Sequence, residues 1–405
     1  MNILLICDEY PPGRHGGIGT AVQLQAHAMR ALGHKVVVAG FYDWGYGGED
    51  QYDDDGITVY RFRRKLDYRI FRPPAGLYRR ALYFLASKTG LLRADIRRSL
   101  VKYQAFLQKV IARHDIDILE VPDYQDYLRF APHPAIYAWL GVPYIVKLHG
   151  SHSYFAGENG SAVSTAVKLA ELALLNGAKG VIAVSKYVGE QTQRYLPFTG
   201  RVEVIYNGIE LPPPAAGAFE SRRDIVFTGS LLQKKGIYQL MKAWNVAGPQ
   251  LPGVHLHIYG RGRTDQASAL LDDTARRSVT FHGAVSRAAV MELLKAARVA
   301  VFPSYAEAFS LAPMEAMACG AAVIYTVLTS GPELITNGID GILIHPDDVD
   351  ALAQSMVMLM SDPTRAENLA AAGNTRIREH FELSRLAAQH IRLYTALLQS
   401  AHEPS

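Results

Sequence analysis

The chain has 405 residues, 49% of them hydrophobic and 20% charged. That is the make-up of a soluble globular protein with core enough for two or three domains, and no apolar run approaches the roughly 18 residues of a membrane-spanning helix. The net charge of +4 is uneven: residues 61–102 hold thirteen Lys or Arg against two Asp, a local +11 that leaves the remainder at −7. The two cysteines, Cys7 and Cys319, form no metal-ligand spacing and read as reduced, buried thiols. Together with a start, MNILLICDEY, that reads as a strand rather than a leader, they point to the cytoplasm.

Residues 2–7 are predicted as a buried strand. The Pro- and Gly-rich loop EYPPGRHGGIG then leads into a helix over 20–32, with Ala21, Leu24, Ala28 and Leu32 on one face and Gly33 at its end. Gly16, Gly17 and Gly19 let a backbone approach a ligand at that helix start; a tight strand-to-helix turn explains them as well. Residues 35–39 are the second strand. Asp53, Asp54 and Asp55 look like a metal-binding acidic motif, but an acidic turn ahead of a strand over 57–61 accounts for them better. Asp115 and Asp117 likewise lead into a strand.

The basic segment mixes its cations with Tyr68, Phe71, Tyr78, Tyr83, Phe84 and several Leu. Docking on an anionic membrane surface is the favoured reading of 61–102. A solvated helical face competes with it, and nucleic-acid binding is not expected, because no motif for it accompanies the charge.

Residues 143–149 form a strand that runs into HGSH. This puts His149 and His152 at a strand end, where ligands gather in open α/β sheets. No third ligand lies nearby, so no metal is expected, and either ring also reads as a satisfied surface His. A helix over 164–175 and strands over 180–185 and 202–209 follow. The run ELPPPAAGAFESRRD is a linker by its Pro, Ala and Gly content, with a domain boundary at 211–223.

The second half opens with a strand over 224–228 and then GSLLQKKGIYQLMKAW. Lys235, at a helix start beside Gly236, is well placed to neutralise a diphosphate. A strand over 254–259 leads to GRGR, with Arg261, and a strand over 278–285 leads to a helix over 286–297. The most organised stretch is YAEAFSLAPMEAMACGAAVI at 305–324. An apolar run at 299–303 suits a buried strand, and the turn after it carries Glu307, Phe309 and Ser310. Leu311, Met314 and Ala318 then mark a helix that stops near Gly320, and 321–325 is the next strand. The first N–H groups of a helix lack partners and sit at its positive end, so Ala308, Phe309, Ser310 and Leu311 make a phosphate seat. Glu307 and Glu315 flank it, and carboxylates accept hydrogen bonds from sugar and ribose hydroxyls. A ligand with phosphates and several hydroxyls fits; an ordinary βαβ unit with solvated Glu side chains is the competing reading. The chain closes on an amphipathic helix over 384–400.

Glu307 and Glu315 are separated by seven residues. In its surroundings, PSYAEAFSLAPMEAMACGAAVI, this pair resembles the E-x7-E motif of the family-4 retaining glycosyltransferases. The resemblance runs nearly end to end. It implies an α/β protein of GT-B architecture: two Rossmann-like domains facing a central cleft, with the C-terminal helix crossing back to the first. The acceptor-binding domain would span 1–210, the nucleotide-sugar-binding domain 211–383, and the returning helix 384–405. It also implies a retaining, metal-independent hexosyl transfer from a nucleotide-diphosphate sugar to a glycan or lipid-linked acceptor, with no cofactor. The basic aromatic segment adds the setting: cell-surface polysaccharide or glycolipid synthesis, peripheral to the inner face of the membrane.

By the same resemblance His149, Glu307 and Lys235 are the catalytic residues. The donor would be bound by Gly16, Gly17, Gly229, Ser230, Lys235, Arg261, Val285, Ala308, Phe309, Ser310, Leu311 and Glu315. GSLLQKKG departs from the family's G-R-L-x-x-x-K-G in one respect: Ser230 stands where the Arg is usual. That removes one of two expected cations, for which Lys234 or Arg261 are the available replacements. Two other readings stay open, a catalytically silent nucleotide-sugar- or lipid-binding protein and a GT-B epimerase or phosphorylase.

Overall fold

The computed structural model describes residues 1–400 except 14, 43–45, 47, 64–84, 86–87, 134–135 and 214–218. The chain forms two units: Met1–Tyr206 with the chain from Ser384 onward, and Asn207–Leu383. The first unit ends ahead of the Pro-rich stretch where the sequence placed a boundary. Ile209 already belongs to the second unit, donating its amide to the Phe381 carbonyl at 3.1 Å and accepting from Leu383 N at 3.0 Å.

In the first unit eight strands form one sheet in the order β3-β4-β2-β1-β5-β6-β7-β8. These are β1 (Asn2–Ile6), β2 (Lys35–Tyr42), β3 (Gln51–Asp54), β4 (Ile57–Arg63), β5 (Ile118–Pro122), β6 (Tyr144–Leu148), β7 (Gly180–Ala183) and β8 (Val202–Val204). β3 runs antiparallel to β4 at the edge, and the central strands pair in parallel. Such strands are covered on both faces and read as short apolar runs.

Two local expectations change. Asp53 and Asp54 are not turn residues but the end of β3. The turn is Asp55 (φ 50°) and Gly56 (φ 80°), and Asp53 closes it by accepting the Gly56 amide at 2.7 Å. The first helix is Gly17–Ala31, starting inside the Gly cluster. The Glu9 carboxylate accepts the amides of Gly16 (3.2 Å) and Gly19 (2.9 Å) and so caps the helix there.

The C-terminal helix, Leu383–Ser400, packs on this first sheet. Leu386, Ala387 and Tyr394 share a core with Ile3, Leu5, Ile118, Ile145 and Ile182. Inside that contact lies a buried polar network. The Lys147 ammonium stands 3.8 Å from Glu120 Oε1, donates to Gln25 Oε1 at 2.5 Å and lies 3.2 Å from His390 Nε2. Gln25 Nε2 donates to both Glu120 oxygens, and the Tyr394 hydroxyl donates to Glu120 Oε2. Two helical residues thus complete a charge pair supplied by β5 and β6.

The second unit is a six-stranded sheet in the order β11-β10-β9-β12-β13-β14. Its strands are β9 (Ile225–Thr228), β10 (Leu256–Tyr259), β11 (Val279–Gly283), β12 (Val299–Phe302), β13 (Ala322–Thr326) and β14 (Ile342–Ile344), all parallel. This is doubly wound order, reversing between β9 and β12. Helices Val349–Ser361 and Pro363–His380 follow. The sequence reading did not anticipate either one.

Removing one member of a buried charge pair leaves the other uncompensated, at a cost of about 3–5 kcal/mol, whereas removing both is far milder. Lys147→Met should therefore destabilise the chain by that order in urea unfolding. Lys147→Met combined with Glu120→Leu should cost clearly less. Strictly additive losses would contradict the network.

Candidate active site

In an open parallel sheet the loops leaving the carboxyl ends of strands separate where the order reverses, and ligands bind in that crevice. In the second unit these are the loops after β9 and β12. β9 and β12 pair only through Val299↔Ile225 and Ala300↔Val226. The first loop then presses on the second at Gly236. A Cβ there would lie 1.8 Å from the Pro303 carbonyl oxygen, and the residue has φ +71°, so only glycine fits. This contact places Lys235 against Glu307: Nζ donates to Oε1 at 2.5 Å, with the side chains 24% and 10% exposed. Glu307 is fixed in turn. Its amide donates to Thr329 Oγ1 at 3.4 Å and its carbonyl accepts from Ser330 Oγ at 3.4 Å.

The helix Leu311–Ala318 starts beside this pair. Its N-cap, Ser310, makes no side-chain cap bond, although Ser151, Ser164, Ser185 and Ser286 all cap their own helices. The amides of Leu311 and Ala312 make no hydrogen bond among the described residues. Phe309 is buried and packs on Phe381 with ring centroids 5.4 Å apart. Its carbonyl accepts from Asn207 Nδ2 at 3.1 Å, so its side chain and its carbonyl both anchor the turn.

One turn on, Glu315 is buried and accepts from Arg287 Nε at 2.8 Å. Burial pushes its carboxyl above the usual range, and Arg287 pulls it part of the way back. Val285 is exposed just beyond β11. Gly229 and Ser230 follow β9 directly. Ser230 makes no side-chain bond among the described residues, and Arg261 and Lys234 are exposed and make no ion pair among them.

In the first unit the strand order reverses between β1 and β5. Asp123, immediately after β5, accepts the backbone amides of His149 (2.8 Å) and Gly150 (3.1 Å). Burial pushes its carboxyl up to about 7. His149 follows β6 and is buried. Burial, with help from Lys147, pushes its imidazole down to about 3, so it is neutral at ordinary pH. His152 lies apart in role: it opens the helix His152–Glu158, its Nε2 is 3.0 Å from the Gln125 carbonyl, and its ring leans on Tyr124 at 4.5 Å. Among the described residues no group of three or more His, Cys, Asp or Glu could hold a metal ion. The Gly16 amide is taken by Glu9, while a Cβ on Gly17 would meet nothing within 4 Å.

Most of the expected membrane-docking segment, 64–84 and 86–87, lies outside the described residues. Two of its cations are not surface cations. Arg61 is 2% exposed, lies over the Tyr52 ring at 4.6 Å and donates to the carbonyls of Tyr10 and Pro12. Arg63 pairs with Asp50. The helix Leu91–His114 does expose Arg93, Arg97, Arg98 and Lys102 beside Leu91 and Val101. No described helix is long and apolar enough to cross a membrane.

Two residues central to this geometry were missed by sequence reasoning. Asp123 was signalled only by a polar residue straight after an apolar strand. Arg287 was signalled only by its place behind the Ser286 cap.

Two doubly wound sheets, one carrying a cation–carboxylate pair beside an uncapped helix start, define a protein with twin Rossmann-like units. The models of Glycosyltransferase Family 4 and of Glycosyl transferases group 1 match residues 15–211 and 222–362. A glycogen synthase of Mycobacterium tuberculosis is 26% identical over all of this chain and 97% of its own length. An alpha-maltose-1-phosphate synthase of Mycolicibacterium smegmatis is 30% identical over 63% of this chain and 73% of its own. Anabaena HepE, solved in complex with UDP-glucose, superposes with a TM-score of 0.67 at 18% identity, covering 98% of this chain and 100% of that one. The chain belongs to the family-4 glycosyltransferases and has their GT-B fold.

His149 and His390 both bind a proton less readily in the fold than in the unfolded chain, where His titrates near about 6.5. Their contribution to stability is whole above that pH. It is lost as pH falls toward the folded values of about 3 and about 4. Each adds about 1.4 kcal/mol per pH unit to the slope in that window. Asp123, raised to about 7, works in the opposite sense over the same window, so the readout is the difference: in urea unfolding between pH 7 and 5, His149→Gln should remove about one such increment from the pH slope of the unaltered chain. An unchanged slope would place a charged imidazole in the fold.

Proposed function

We propose that the chain is a retaining glycosyltransferase that draws its sugar from a nucleotide-diphosphate sugar and needs no divalent metal. The observation that carries this is the Lys235–Glu307 pair beside the uncapped start of the Leu311–Ala318 helix. When the bond from the sugar's anomeric carbon to the diphosphate breaks, the electron pair leaves with the diphosphate oxygen. Lys235 and the amides of Leu311 and Ala312 meet that charge, and one such preorganised donor contributes about 3 kcal/mol. Glu307 holds the sugar's hydroxyls or its forming positive charge. The acceptor oxygen bonds to the same face of the anomeric carbon, and its proton passes to the leaving phosphate. No carboxylate is assigned as nucleophile.

Glu315 takes the ribose hydroxyls, and the backbone at Val285 lies toward the base. Gly229, Ser230 and Arg261 complete the phosphate end. In the first unit we assign the neutral His149 to the donor sugar and the Gly16–Gly17 turn to the phosphates and acceptor. UDP-glucose on Anabaena HepE supports the donor class, and the activities named for the two mycobacterial relatives support glucan-type products. A glycan or lipid-linked acceptor at the inner face of a membrane fits the cations and Leu91 of the Leu91–His114 helix. We place the protein in the cytoplasm on that reading.

A second reading has one observation behind it. Ser230 supplies no charge where a second cation is usual, which favours a protein that binds nucleotide sugar without turning it over.

Lys235→Ala and Glu307→Ala should each lower transfer by about 100-fold or more while circular dichroism and the melting profile stay native. Assays would supply UDP-, GDP- and ADP-glucose with oligosaccharide or lipid acceptors. Normal turnover in both variants would refute the assignment. Nucleotide binding by the unaltered chain with no turnover on any donor would favour the silent reading.

A further inference from the structure

Glu315 is held by a residue from another helix. Arg287 is the first residue of the helix Arg287–Ala296, which Ser286 caps by accepting the Ala289 amide at 3.3 Å. That helix start follows β11 directly, so the Arg287 side chain leaves from the base end of the proposed nucleotide site. Its Nε donates to Glu315 Oε1 at 2.8 Å. The second Glu315 oxygen accepts no protein hydrogen bond among the described residues. Arg287 Nη1 also lies 3.7 Å from Glu210 Oε2, but that carboxylate is 62% exposed against 10% for Glu315. Water screens the outer pair, so the inner bond is the stronger one.

We propose that Arg287 is a positioning residue that fixes the Glu315 carboxylate with one oxygen engaged and the other turned to the nucleotide ribose, and so sets a preference for ribonucleotides over deoxyribonucleotides. This rests on the reading of Glu315 as the ribose ligand. The chemistry is that of an acceptor kept free of protons. A buried carboxyl that loses its cation takes up a proton at higher pH, and a protonated carboxyl spends its lone pairs less well on two donating hydroxyls. Burial already raises Glu315, and Arg287 is what opposes it.

The other titratable groups nearby do not replace it. Glu210 shares the same guanidinium. Cys319, one turn further along, is pushed up by burial to about 12 and stays a neutral thiol. Lys295 on the Arg287–Ala296 helix is paired with Glu292 at 2.8 Å.

The test is calorimetric binding of UDP, GDP and ADP, each against its 2′-deoxy and 3′-deoxy counterpart, from pH 6 to pH 8.5. Hydrogen bonds to a charged acceptor correspond to about a tenfold preference or more for the ribonucleotide. The unaltered chain should show that preference at every pH. In Arg287→Met the preference should survive at pH 8.5 and collapse toward unity at pH 6, with inorganic pyrophosphate binding unchanged. Arg287→Lys should restore most of it, and the melting profile reports whether each variant folds. A preference in Arg287→Met as large and as pH-independent as in the unaltered chain overturns the inference alone. No preference in the unaltered chain, with Glu315→Gln also without effect, removes the ribose assignment and this inference with it.

Discussion

The Pro303 carbonyl stands 1.8 Å from where a side chain on residue 236 would begin, and the second unit's site depends on that contact. Because residue 236 is Gly, the loop after β9 lies on the loop after β12 with no side chain between them. Lys235 is then forced to the carboxyl edge of the sheet, where Glu307 accepts its proton-bearing nitrogen at 2.5 Å. The Tyr305 amide bonds to the Lys234 carbonyl at 2.9 Å and holds the same two loops together by backbone alone. A cation and a carboxylate therefore meet beside the uncapped start of the Leu311–Ala318 helix. In the reaction proposed above, donors held in this way need not move when charge develops on the leaving group.

The first unit meets a different constraint. Its last helix is remote in sequence from the sheet it covers, and apolar contact alone would let an amphipathic helix slide. Glu120 and Lys147 prevent this, since each is nearly inaccessible to water and their bonds are completed only by Tyr394 and His390 at fixed positions on that helix. A buried pair of this sort adds little net stability against an apolar replacement. Its partners on the helix, Tyr394 and His390, meet it in a single register, and it also sets the surroundings of His149. Lys147, two residues earlier, adds to the burial that keeps that imidazole neutral. The Asp123 carboxylate then holds the His149 and Gly150 backbone from β5.

Much of this was legible in the sequence because it is local. The strand, turn, helix and strand around residues 299–325 follow one another within a single stretch, so spacing and a glycine stop announce them. The resemblance of that stretch to E-x7-E carried the fold. The unread parts are those where a side chain finds its partner across the sheet or from another helix. Asp123 meets His149 at a separation of 26 residues, and Arg287 meets Glu315 at 28. Arg61 looked like one more surface cation in a basic run, yet it is enclosed by Tyr42, Tyr46 and Tyr52, an aromatic cage drawn from β2, the loop after it and β3. The strand β3 was hidden because its two acids resemble a turn, and half-exposed edge strands lack the apolar run that marks central ones. Glu120 in DILEVP gave no hint that its partner lies in the last helix, 274 residues on.

Receipt of the diphosphate by protein groups alone, with Lys235 foremost, is what the proposed reaction requires. It is tested most directly by isothermal titration of the full chain with UDP, GDP and ADP in the presence of a chelator, repeated with magnesium. One of the three should bind, with an affinity that magnesium leaves unchanged within about threefold, and Lys235→Ala should weaken it by roughly tenfold or more, as loss of a charge-assisted hydrogen bond requires. Binding that appears only when magnesium is added, or that is indifferent to Lys235, would contradict it.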